Sequence, residues 1–191
     1  MEIEAVRALL QEFQDGYAAR DTDRLDSFME LFVDSEDLEV IGTKGISPGA
    51  DEWCRGPAAV RRLIEDDWRG WGDVVFDVRG AHIVVRGDVA WLATSATATL
   101  TIPIEHMPAG FVAQAKAMLD DESLTPEAKM LEITRLGADL YFEMPLGDTF
   151  VWPFRFTAVA VNDGGRWRFH QMQFSYSNTR LPDVRSPVNA D

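Results

Sequence analysis

Near residue 73 the hydrophobic period of this chain changes. Before it, apolar residues recur every three or four positions; after it they alternate, so helices come first and a sheet of long strands follows. In the first segment Ile3, Val6, Leu10, Phe13 and Tyr17 mark the apolar stripe of an amphipathic helix that ends near Ala19 and Arg20. Asp21 is placed to cap a second, shorter helix with Leu25, Phe28, Met29 and Phe32 on its buried side. "LEVIGT", 38–43, reads as a strand, and the glycine- and proline-rich "KGISPGADEWCRG" as the loop after it. Pro57 sits just inside a third helix, where its missing N–H costs nothing, and Val60, Leu63, Ile64, Trp68 and Trp71 line one face of that helix.

Beyond residue 73, Val74, Phe76 and Val78, then Ile83 and Val85, flank Gly80 and predict one long strand kinked at the glycine. "RGD", 86–88, is a hairpin turn into the threonine-rich strand "VAWLATSATATLTI", 89–102. "TFVWPFRFTAVAV", 149–161, and "RWRFHQMQFSYS", 166–177, form another hairpin around "NDGG". Between the two pairs, 103–148 returns to helix-forming composition at 108–120 and 126–143, with "LTPEAK" supplying a threonine cap and a proline at the first helical position. The expected architecture is α+β: three N-terminal helices against a curved antiparallel sheet, with an inserted helical hairpin. One domain over 1–180 and a short tail at 181–191 are expected. Bent strands wrapped over helices leave a cone with one open mouth, where a ligand pocket would form.

Charge narrows the partners. With 32 acids against 18 basic residues and a net charge of -14, the chain lacks the basic footprint that nucleic acid or an anionic membrane surface needs. No apolar run approaches the ~20 residues of a membrane span. The acidic, periodic N-terminus does not read as a signal peptide, so the expected location is cytoplasmic. A single cysteine, Cys54, excludes an internal disulfide and any multi-cysteine metal site. His82 and His106 have no acidic or histidine neighbours at ligand spacing, so neither a metal nor a cofactor is expected.

The stretches "GYAARDTDRLDSFMELFVDSEDLEVIGT", "DEWCRGPAAVRRLI", "GDVAWLATSATATL" and "VAVNDGGRWRFHQMQFS" resemble the nuclear transport factor 2-like superfamily, in particular its SnoaL-like branch. They cover most of 1–102 and 149–178, whereas 103–148 has no counterpart there. The resemblance implies a cone-shaped α+β domain, commonly a homodimer packed through the outer sheet face. It implies no single activity, because this fold hosts isomerases, dehydratases, hydrolases, polyketide cyclases and non-enzymatic domains. Ketosteroid isomerases, similar in fold, place a general-base aspartate just after the first strand, where this chain has Gly42 or Thr43, neither of which abstracts a proton. Their oxyanion-binding tyrosine on the first helix is matched by Tyr17, and their second acid falls roughly at Thr157. SnoaL-like sequences often carry a histidine near the end of the last strand, where this chain has Gln173.

Among candidate site residues, Asp67 is the least expected, because at 100° per residue it falls inside the apolar stripe of the third helix. A carboxylate facing an apolar interior has its pKa raised and suits general acid or base work; the alternative is a structural pair with Arg155. Arg155, set between aromatics, is suited to clamp a substrate carboxylate or phosphate, to neutralise Asp67, or to lie on a dimer face. Strict alternation puts Trp167, Phe169, Gln171, Gln173 and Ser175 on one face of the last strand and Arg168, His170, Met172, Phe174 and Tyr176 on the other. The amide face is expected to line the cavity and the His170/Phe174/Tyr176 face to meet a dimer partner, although strand phase is not set by sequence and the faces could be exchanged. Glu52 and Trp53 lie where they could reach the mouth, and Trp53, Trp68, Trp71 and Trp91 are candidates for an aromatic lining. The leading expectation is a protein that binds a small, at least partly apolar molecule without a complete catalytic set. The alternatives are an isomerase, dehydratase or cyclase using Asp67 as acid or base, with Tyr17 and Arg155 stabilising negative charge, and a homodimerisation module with 103–148 as its partner surface.

Overall fold

Amphipathic periodicity carries α1 through Glu2–Ala19, and Arg20, left-handed at φ 49°, ends it by donating its N–H to the Gly16 carbonyl at 2.9 Å. The computed structural model describes residues 2–43, 45, 47–48, 52–143 and 147–176. The expected tail at 181–191 and much of the loop at 44–51 lie outside the described residues. The described residues form two compact units, one from 2–98 with 153–176 and the other from 99–152.

In the first unit the stripe of α1 buries Val6, Leu9, Leu10, Phe13 and Tyr17, while Ile3, expected in that stripe, is exposed. Asp21 caps a 3₁₀ turn at Thr22–Arg24, its carboxylate accepting from the Asp23 N–H, and α2 follows at Leu25–Met29. Helices α1 and α2 approach so closely that a Cβ on Gly16 would run into the Phe28 ring. Strand β1 is Glu39–Ile41, and a short strand, β2 (Trp53–Arg55), occupies the end of the segment expected to be loop. Helix α3, Pro57–Gly70, starts on its proline and buries Val60, Ile64 and Trp68.

The kinked strand expected around Gly80 is two strands, β3 (Asp73–Phe76) and β4 (His82–Arg86). Asp77 interrupts it: its Oδ1 accepts from the Gly80 N–H at 2.8 Å and closes a turn. Strand β5, Val89–Thr101, pairs with both pieces, β6 is Thr149–Asp163 and β7 is Arg166–Tyr176. The sheet runs β2-β1-β7-β6-β5-β3 with β4 beside β5, and it is mixed rather than wholly antiparallel, because β1 lies parallel to β7. Two-residue turns close its hairpins. Gly87 at φ 59° joins β4 to β5, and Gly164 and Gly165, at φ 61° and 90°, join β6 to β7.

Strand β7 departs from strict alternation. Ala160 pairs with Phe169 and Val159 with Gln171, which leaves His170 as an extra residue in a β-bulge. The bulge shifts the phase by one, so Trp167 and Phe169 point into the core together with Met172 and Phe174, and the expected division of faces holds only as far as residue 169. Residues 31–33 clamp the strand at this point, Phe169 donating to the Leu31 carbonyl at 2.8 Å and Val33 donating to the Phe169 carbonyl at 2.9 Å. The core is aromatic. The Phe13 ring lies 4.9 Å from that of Tyr17, 5.4 Å from those of Phe28 and Phe76, and 5.5 Å from that of Phe169, in tilted and edge-on pairs worth about 0.5–1.5 kcal/mol each beyond their buried area.

The second unit holds the helical hairpin α4 (Met107–Asp120) and α5 (Pro126–Glu143), close to the segments expected from composition. Thr125 caps α5 by accepting from the Ala128 N–H at 3.2 Å. Ile102 donates to the Asp148 carbonyl at 2.8 Å and closes the base of the hairpin. Val112, Leu119, Met130, Leu131 and Tyr141 are exposed on it.

Candidate functional site

Helical phase brings two polar side chains together inside the first unit. Tyr17 lies one turn beyond Phe13 on α1 and is only 2% exposed. Asp67 lies between Ile64 and Trp71 on α3, and Tyr17 Oη donates a hydrogen bond to Asp67 Oδ2 at 2.8 Å. Burial pushes the Asp67 carboxyl up to about 7; the Tyr17 hydrogen bond works against this, the negative charges of Glu52 and Asp66 add to it, and Arg20 opposes them. The Tyr17 hydroxyl is driven well above its ordinary range, first by its own burial and then by the Asp67 charge, so it remains a donor throughout the neutral range.

A second carboxylate arrives from the turn between β1 and β2. The Gly42 N–H donates to the Glu52 carbonyl at 2.8 Å, and a Cβ on Gly42 would lie 2.5 Å from Glu52 Oε2 and 2.6 Å from Glu52 Cβ. Only a residue without a side chain lets Glu52 fold over this spot. Thr43 Oγ1 donates to Glu52 Oε2 at 3.3 Å, and Trp71 Nε1 donates to Tyr176 Oη at 3.4 Å. Burial raises the Tyr176 hydroxyl, opposed by the hydrogen bond from Trp71. Glu39 Oε1 accepts from both Trp53 Nε1 at 2.8 Å and Arg55 Nε at 3.1 Å, which fixes the indole at the edge of the site.

Beside them lies a cleft of about 670 Å³, walled by Glu52, Trp53, Cys54, Arg62, Leu63, Asp67 and Trp71 among others. A narrower recess of about 20 Å³, bounded by Gly42, Thr43, Glu52, Asp67 and Phe174, has room for one water molecule. The Cys54 thiol, half-buried, is pushed up by burial and then by the Glu52 charge, which keeps it protonated and poorly nucleophilic. Among the described residues no group of three or more histidines, cysteines or carboxylates is placed to hold a metal ion, and no described helix is long and apolar enough to cross a membrane.

Of the residues singled out from sequence, Asp67, Tyr17, Glu52, Trp53 and Trp71 meet at this site. Trp68 does not line the cleft; it packs in the core 4.9 Å from the Phe28 ring and borders a separate hollow of about 330 Å³ between α1 and α2. Trp91 is 45% exposed on β5. Arg155 is exposed on β6, on the face opposite buried Phe154 and Phe156, and donates to the Tyr176 carbonyl at 2.7 Å, so it does not pair with Asp67. Gln171 and Gln173 follow the bulge onto the outer face, while Phe174 borders the recess and Tyr176 meets Trp71 instead of turning outward. His170 Nε2 lies 3.3 Å from Asp37 Oδ2. In sequence Glu52 stood out only by its place after the first strand, Thr43 was weighed there as a position unable to abstract a proton, and Tyr176 was assigned to the outward face; none of the three was expected in this arrangement.

Three helices packed on a mixed, open sheet, with a polar cluster at its β1 and β7 end, define a nuclear transport factor 2-like fold. Residues 6–114, more than half of the chain, match the SnoaL-like domain family, and the chain belongs to that family. Among solved structures it is similar to a nuclear transport factor 2-like superfamily protein of Salmonella enterica, with 12% identity over 94% of each chain and a TM-score of 0.56. It is also similar to a candidate scytalone dehydratase of Novosphingobium aromaticivorans, at 11% identity over 100% of this chain and 95% of that one (TM-score 0.54). A candidate dehydratase of the same fold from Streptomyces avermitilis shows 15% identity over 91% and 95% of the two chains, again at 0.54. At these identities the likeness is one of fold. No curated protein matches the chain.

Proposed function

We propose that this chain is an enzyme of the isomerase, dehydratase or cyclase kind, whose cleft takes a small, partly apolar carbonyl compound and whose Asp67 moves a proton. The observation that supports it is the Tyr17–Asp67 hydrogen bond of 2.8 Å at the wall of the cleft, with the carboxyl poised near neutrality. A carboxyl half protonated at working pH is available as acid or base, and such a group contributes about 10²–10⁴-fold in rate. Tyr17 spends its proton on Asp67, so its role is to hold that carboxyl in place rather than to bind an oxyanion. Trp53 and Trp71 offer flat apolar walls, Arg62 adds a positive charge at the rim, and the volume of the cleft suits a small organic molecule. The dehydratase names of two structural neighbours belong to the same reaction class.

The test is exchange of the acidic C–H of a panel of small aryl ketones in deuterium oxide, followed by NMR. The wild type is expected to exceed the buffer rate, with a pH midpoint near that of Asp67, and Asp67→Asn to lose about 10²–10⁴-fold, whether Asp67 takes the C–H proton or supplies one to the oxygen of the forming enol. Ketones that bind in the cleft yet exchange only at the buffer rate would overturn the catalytic reading in favour of a binding domain, which the open, aromatic-walled cleft also supports.

A further inference from the structure

Two carboxyls, rather than one, look into the recess beneath the cleft. Glu52 and Asp67 border both spaces, and they come from separate elements, the turn before β2 and the third turn of α3. Gly42, Thr43, Leu63, Trp71 and Phe174 complete the wall of the recess, and the Glu52 charge across it adds to what holds the proton on Asp67. Among the described residues, the other titratable or charged groups around Asp67 are Tyr17 and Arg20 from the end of α1, Asp66 and Arg62 on α3, Cys54 on β2 and Tyr176 on β7. Arg20 is shared with Asp73, at 3.4 Å. Gly42 has a defined part in this arrangement. The Glu52 carboxylate fills the space that a side chain at 42 would take, so the glycine is what brings the second acid to the recess.

Resting on the proton-transfer reading of Asp67, we infer that Glu52 and Asp67 work as an unequal pair on a small β-hydroxy carbonyl compound, Glu52 removing the proton next to the carbonyl and Asp67 delivering one to the departing hydroxyl. The step balances: the C–H electron pair becomes the new C=C bond, the C–O bond breaks, and the hydroxyl leaves with the Asp67 proton as water. Glu52 is then neutral and Asp67 ionised. One water in the recess touches both carboxyls and passes the proton back, restoring the starting state. Glu52 and Asp67 are catalytic residues on this assignment, and Gly42 is a positioning residue.

The experiment uses the full chain and the aldol adduct of benzaldehyde and acetone, whose dehydration to a conjugated enone is followed by ultraviolet absorbance. The carbon-13 signal of the Asp67 carboxyl is titrated in parallel. Glu52→Gln is expected to lower the dehydration rate about 10²–10³-fold and to lower the Asp67 midpoint, because a negative neighbour has been removed. Gly42→Ala, which displaces the carboxylate while leaving Glu52 in the chain, is expected to reproduce both effects; Glu52→Gln, nearly isosteric, carries the test if Gly42→Ala does not fold. Dehydration within twofold of wild type in Glu52→Gln, with Asp67→Asn inactive, overturns the pair and leaves the Asp67 reading standing. An Asp67 midpoint that Glu52→Gln does not move also overturns the pair. Full activity in Asp67→Asn removes both readings, and a wild type that exchanges ketone protons without dehydrating the adduct overturns the substrate class alone.

Discussion

Tyr17 and Asp67 each change what the other does. The tyrosine hydroxyl donates to Asp67 Oδ2, which steadies the ionised carboxyl and holds its pKa below the level that burial by itself would impose. Tyr17→Phe is therefore expected to raise the Asp67 midpoint above its value near 7 and to move any pH profile of activity the same way, as carbon-13 NMR titration of both proteins would record. A midpoint that falls would mean that Tyr17 acts through packing alone. The position of Asp67 was legible in sequence, because a carboxylate inside the apolar stripe of a helix has to face the interior. Its partner was not. The sequence offered Arg155 as the structural partner and Tyr17 only as a stabiliser of negative charge, and the actual pairing depends on a distance between α1 and α3 that periodicity does not carry. The same holds for Glu52, which reaches the recess only because residue 42 lacks a side chain.

At the scale of elements, the bulge in β7 decides which side chains meet the site. His170 is the residue left over between the Ala160–Phe169 and Val159–Gln171 pairs. Deleting His170 leaves Phe169, Gln171 and Met172 in regular in-out-in order, so that variant is expected to fold with a modest loss of stability. Deleting Gln173 instead swings Phe174 outward and strips an aromatic from the core, at about 3–5 kcal/mol, the range for truncating a buried Phe. Urea denaturation of the two deletions beside wild type measures the difference, and equal losses would remove the bulge from this role. Alternation alone showed that residues 166–176 form a strand, but a one-residue bulge inverts every face after it, and the chain carries no local signal for it. Elements defined by strong local chemistry were legible almost to the residue: Pro57 opens α3, Pro126 behind the Thr125 cap opens α5, and "NDGG" turns β6 into β7. Strand β2 was not, since three residues beside a glycine-rich stretch gain strand character only from pairing with β1.

For the whole molecule, the raised Asp67 carboxyl ties folding to pH. Below about pH 4 the folded and unfolded chains both hold its proton. Between there and about pH 7 the unfolded chain releases it while the folded chain keeps it, so stability falls as pH rises, by about 4 kcal/mol in all at about 1.4 kcal/mol per unit. Asp67→Asn lacks this slope, so its stability relative to wild type is expected to grow by about that amount from pH 4 to pH 8 in urea denaturation, and a difference independent of pH would show that the carboxyl titrates normally. The remaining acids and bases are common to both proteins, so their titration largely cancels in the comparison. By itself the sequence determined the helices, the long strands and the tight turns between them, the α+β class and the inward position of Asp67, because period, caps and turn residues act over a few neighbouring positions. The tertiary structure alone decided the Tyr17–Asp67 bond, the reach of Glu52 over Gly42, the outward placement of Arg155 and Trp91, and the inverted faces of the last strand. Those depend on bulge phase and on distances between elements far apart in the chain, which only packing sets.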